Sequence, residues 1–279
     1  MKQGQLSFLC ALIAGVVFPL PLQAATEPNP FGVPPLEPGQ IHTFSLVMFV
    51  VMLVFFSLWS WKKGEIRPGL LVLIAAMSAS WQEFYADWGA YLYWNPGFPQ
   101  LPWGDTAFTT PVKPLFIPFS WGWYFAFILP LLLAILNWLH GKFPGFPRFL
   151  LVLITAGPLF YGYNIFQEKN AGDMAWWGYL ETFGPSAQAA YSQYPLVWPA
   201  VSLVLWTVVL LWLLMLKDNA GFWRHERWLG VDKVAGGARQ AVARVVAFAL
   251  LFNISCLVLV TIPSILGRVL FGVDHPLIP

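Results

Sequence analysis

The chain has 279 residues, of which 58% are hydrophobic, 18% aromatic and only 10% charged. Soluble chains carry roughly 25% charged residues, so this one cannot cover a water-facing surface, and its mean hydropathy of +0.64 places it in a bilayer. A net charge of +2 is too small for a nucleic-acid footprint, and two cysteines without CxxC spacing exclude a disulfide framework or a zinc site.

Lys2, an apolar run over 6–17, Pro19, Pro21 and Ala24-Ala25 read as a secretory signal peptide over residues 1–25. Gln23 or Leu22 stands where cleavage wants a small residue, so an uncleaved signal anchor is the alternative. Residues 26–40 are rich in proline and are expected as an extended outer linker without helix. From 41 to 279 the chain reads as a single membrane domain. Crossing the hydrocarbon takes about 20 apolar residues, and runs of that order lie near 42–61, 69–93, 121–139, 149–166, 195–216 and 243–266. The expectation is an all-α, polytopic helical bundle of about six transmembrane helices.

Charge sets the expected orientation. Lys62, Lys63, Arg67, Lys142, Arg148, Lys217, Arg224, Arg227, Lys233, Arg239 and Arg244 fall between spans on one side, leaving only Lys113, Lys169 and Arg268 on the other. By the positive-inside rule the basic side is cytoplasmic. The aromatic loops near 94–120 and 167–194 then face outward, from what is expected to be a bacterial inner (plasma) membrane.

An ionisable group within a membrane helix is a functional-site hypothesis by default. The second span carries Glu83, Asp87 and Tyr91 four residues apart, on one helix face, with Asn95 extending the row until Pro96 stops the helix. Two carboxyls one turn apart in a low dielectric repel when both are charged, so one is expected to hold a proton and serve as a general acid. The bland alternative is that both sit at headgroup level, hydrated or paired with Lys113. A second polar set, Tyr161, Tyr163, Asn164, Gln167 and Glu168, ends the fourth span, and Tyr191, Gln193 and Tyr194 open the fifth. Trp121, Trp123, Trp176 and Trp177 read as an interfacial aromatic belt. His42, His140, His225 and His275 offer no matched pair inside spans, so no haem or metal ligation is expected. No nucleotide loop, nucleophile elbow or zinc motif occurs.

The run Asp87-x3-Tyr91-x3-Asn95, then Pro96, Gly97 and Pro102-Trp103-Gly104, together with Gln193-Tyr194-Pro195-Leu196, resembles the AveC-like membrane spirocyclase family over about residues 80–200. The chain has Asp87-Trp88 where the family pattern has Asp-Pro. The resemblance implies a membrane protein that closes rings on lipophilic, oxygenated substrates by acid catalysis, with Asp87, Tyr91 and Asn95 as carried-over positions.

The leading expectation is therefore a cofactor-independent cyclase. Glu83 and Asp87 are its catalytic candidates, and Tyr91, Asn95, Trp103, Tyr161, Asn164 and Gln193 its substrate-binding ones. No haem, flavin, nicotinamide or metal is expected, and the expected partners are a lipophilic substrate and membrane lipids, without nucleic acid. A terpene-type cyclase that opens an epoxide or protonates an alkene stays open, as does a non-catalytic component that binds a lipid or a partner protein.

Overall fold

A computed structural model describes residues 27–104 and 106–279, so the signal segment expected over 1–25 lies outside the described residues. Four helical stretches are long and apolar enough to cross a membrane: α1 (Pro38–Lys63), α4 (Ile117–Lys142), α5 (Arg148–Asp173) and the stretch Ala238–Phe271. The last is built from α8 (Ala238–Cys256), a wide π turn (Leu257–Thr261) and α9 (Ile262–Phe271). Helix α1 shows local rules at work. Pro38 occupies the first turn, where no backbone donor is needed, and Gly64 closes the helix in a left-handed conformation beside Lys62 and Lys63. Phe44, Val47, Val51, Val54 and Phe55 stay exposed along it, as a lipid-facing surface requires.

Six spans were expected, and four long ones are found. The run 69–93 is broken into α2 (Pro68–Ala79), a 3-10 turn (Ser80–Gln82) and α3 (Glu83–Ala90). The run 195–216 gives only the 15-residue α6 (Ala200–Leu214), about 22 Å at 1.5 Å per residue, short of the roughly 30 Å hydrocarbon core. The break has a physical partner. Gln82, fully buried in the 3-10 turn, donates from Nε2 to the Asn253 carbonyl at 3.0 Å and accepts from Thr261 Oγ1 at 3.1 Å, so the two irregular turns satisfy each other. Just beyond, a Cβ added to Gly89 would lie 2.4 Å from the Ser264 carbonyl carbon, so α3 packs on α9 with no room for a side chain.

Helix α2 is the centre of the bundle. Leu70, Leu71, Val72, Leu73, Ala75 and Ala76 are buried on all sides by α4, α8 and α1, as an all-round apolar helix must be.

The purely helical expectation also missed a small antiparallel sheet with strand order β1-β2-β4-β3: β1 (Leu92–Trp94), β2 (Trp177–Tyr179), β3 (Ser186–Gln188) and β4 (Gln193–Pro195). Both aromatic loops contribute to it. The proline-rich segment is no free linker either. Tyr93 Oη donates to Pro28 O at 2.8 Å, Asn95 Nδ2 to Val33 O at 3.1 Å and Trp176 Nε1 to Leu36 O at 2.7 Å, and helix begins at Pro38, inside the expected 26–40 stretch.

Candidate functional site

Strand pairing aims a row of aromatic side chains at the bundle. In the β1–β2 register Trp94 opposes Trp177 and Leu92 opposes Tyr179, so these four share one face while Tyr93 and Gly178 take the other. Gly178 is required there, since a Cβ would lie 2.2 Å from that of Ser192. On the bundle side three carboxyl groups wait. Trp94 Nε1 donates to Asp87 Oδ2 at 2.7 Å. Trp177 Nε1 donates to Glu168 Oε2 at 2.8 Å, and Tyr179 Oη donates to Glu168 Oε1 at 3.1 Å. Glu83 faces the Trp121 indole and lies near enough to Glu168 and Asp87 for their charges to interact. Each carboxyl is met by an indole N–H, and among the described residues none of the three forms an ion pair. Lys113 Nζ donates to the Gly104 carbonyl at 3.0 Å.

Glu83 and Glu168 open on a cavity of about 1060 Å³ whose walls include Phe44, Trp94, Trp121, Tyr124, Phe160 and Trp177. Asn164 lines it too, while Asp87 lies behind the wall. Tyr124 and Tyr163 stack with ring centroids 5.8 Å apart on its α4–α5 side.

The remaining sequence candidates lie elsewhere. The helix-face row ends after Asp87 because Tyr91 takes a left-handed conformation (φ 60°) that turns the chain into β1. Tyr91 Oη then donates to the Val273 carbonyl, and its ring stacks under the Arg268 guanidinium at 4.4 Å. Asn95 is fully buried and ties loops together, donating to Ala175 O at 2.8 Å and accepting from Gly97 N at 3.0 Å. Trp103 packs edge-on against Phe84, and Tyr161 Oη donates to the Leu196 carbonyl. Gln193 sits in β4, with Nε2 3.4 Å from the Leu180 carbonyl. None of these five lines the cavity.

Sequence reasoning assigned Trp121 and Trp177 to the belt, and left Trp94, Tyr179 and Glu168 without a site role. Glu168 carried a usable signal, an acid in the same outer-half polar set as Asn164. For Trp94, Trp177 and Tyr179 the signal was the register of strands absent from the helical reading. Among the described residues no three His, Cys, Asp or Glu side chains converge as metal ligands do. No known protein family, curated protein or solved structure matches this chain, and the reading of the site rests on its own geometry.

Proposed function

We propose that the protein is a membrane cyclase that closes rings on a lipophilic, oxygenated substrate by general acid–base catalysis. Spiroketal-type closure is the reaction implied by the likeness to the AveC-like family. The observation that carries the reading is the placement of Glu83 and Glu168 on one aromatic-walled cavity, with indole N–H groups as their donors and, among the described residues, no ion pair on either.

In this reaction one carboxyl gives its proton to a hemiketal hydroxyl of the substrate. The carbon–oxygen bond breaks and water leaves. A second hydroxyl of the same molecule attacks the oxocarbenium carbon, and its proton passes to the carboxylate that the first step left. Acid and base end as they began, with one water lost. The indole faces of the wall attract the transient cation, and a cavity that holds the chain folded turns ring closure into a matter of orientation. Asp87, held by Trp94 behind the wall, acts through Glu83 as a positioning residue. With the basic end cytoplasmic, the site lies toward the outer face of a bacterial inner membrane.

Lipid extracts of a strain lacking the gene test this reading. An uncyclised precursor, heavier than the missing product by one water, is the expected finding. Loss of an unrelated membrane complex without any such precursor contradicts it.

A further inference from the structure

Asn164 projects from α5 into the cavity, is more than nine-tenths buried, and its Oδ1 has no hydrogen-bond partner. The Trp123 indole N–H, from α4 on the same cavity, is buried and unpartnered as well. Buried polar groups are hydrogen-bonded as a rule, and an orphan pair lining one cavity points to a ligand. An orphan acceptor requires a donor, and an alcohol supplies one while its oxygen remains able to accept from an indole.

The cavity also has a side door. Its lining residues that are exposed on the outside of the bundle are Gly39, Gln40, Thr43, Phe44 and Val47 on α1 and Tyr163 and Phe166 on α5. Helix α4 packs against both α1 and α5 and closes the back. Both flanking helices are among the four long and apolar enough to cross a membrane, and Phe44, Val47 and Phe166 stand exposed at the gap between them.

We propose that the cavity draws its ligand laterally from the bilayer through the α1–α5 gap, and that Asn164 selects a lipophile bearing a free hydroxyl. This deepens the cyclase reading and rests on the same cavity being the site, but not on the chemistry performed there.

The full-length protein in lipid nanodiscs is photolabelled with a long-chain primary alcohol carrying a mid-chain diazirine, and with its methyl ether. The expected result is labelling of peptides covering 39–47 and 160–170, roughly fivefold stronger for the alcohol, as the loss of one hydrogen bond implies. Asn164→Leu, which removes an unpaired acceptor and keeps the side-chain volume, brings the alcohol down to the level of the ether. Thr43→Trp and Val47→Trp, both on a lipid-facing surface, weaken labelling by both probes. Equal labelling by alcohol and ether in the unmodified protein, or an unchanged alcohol preference in Asn164→Leu, overturns the selectivity. Labelling untouched by both tryptophan variants overturns the lateral route. The probe has no second oxygen with which to cyclise, so its labelling stands or falls separately from the cyclase reaction.

Discussion

Three carboxyl groups from two helices meet three indoles in the site, and under the proposed reaction their exposure to the cavity divides the labour among them. Glu83 and Glu168 reach it and Asp87 does not. Glu83→Gln and Glu168→Gln each remove a transferable proton at constant shape, and product formation is expected to fall by about 10²–10⁴-fold while the protein inserts and accumulates. Asp87→Asn is expected to lower turnover less. Product levels by mass spectrometry, set against immunoblots of membrane fractions, check all three. The carboxyls were legible in the sequence because a charge inside an apolar run stands out. Their indole partners were not, because tryptophan gathers at any headgroup layer, and only strand register decides which N–H turns inward. Tyr91 was misread for a related reason, since helical spacing carries no mark of the left-handed turn that ends α3.

His225 belongs to the same scale at the opposite, basic end. It lies in the short α7 (Arg224–Trp228), buried against Phe248 with ring centroids 4.7 Å apart. Burial first, and the neighbouring Arg244 guanidinium second, push its pKa down to about 4. Arg244 itself is held by Glu226 at 2.7 Å. A folded value below the unfolded one, roughly 6.5, means that the neutral ring stabilises the fold. That contribution is complete above about pH 6.5 and is lost as pH falls toward 4. Protection factors over 217–237, that is, hydrogen exchange corrected for the pH dependence of the intrinsic rate, are expected to fall between pH 7 and 5 in the native protein and to stay flat in His225→Leu. An equal fall in both would remove the histidine from this role.

At the scale of elements, the break between α2 and α3 and the π turn between α8 and α9 form one paired irregularity, and it sets where Glu83 points. Gly89 is the contact that lets the two broken helices close up. Gly89→Ala drives a methyl into the Ser264 backbone and should cost about 1–3 kcal/mol, read as a drop of several degrees in the thermal midpoint in detergent. An unchanged midpoint would show that α3 and α9 are less tightly joined than described. Hydropathy located this segment but not its break, because Ser80 and Gln82 weigh little in an apolar window, while Ser80 Oγ donates back to the Met77 carbonyl and Gln82 bonds the distant Asn253 and Thr261. The sheet was hidden for the opposite reason. Three-residue strands drawn from two distant loops carry no local alternation to read.

For the whole molecule, composition and charge distribution were the legible part. They put the chain in a membrane, and the long apolar helices α1, α4, α5 and Ala238–Phe271 agree. The count of six failed because runs of apolar residues do not distinguish a full span from the central, broken α2–α3 or the short α6. Orientation is a prediction with a direct check, taken with the broken α2–α3 and the short α6 also carrying the chain from one face to the other. Reporter fusions near 145 and 230 are expected to report the cytoplasm and one near 180 the outside, and an external signal at 145 or 230 would reverse the topology.

The central claim is that this cavity closes rings with its own carboxyls. Purified protein in detergent, treated with chelator and incubated with candidate hydroxyketones and epoxides, tests it most directly when run beside Glu83→Gln and Glu168→Gln. The account predicts conversion to a cyclised product without any added cofactor, and little or none in the two variants. A strict requirement for an added redox cofactor or metal, or equal conversion by the variants, would contradict it.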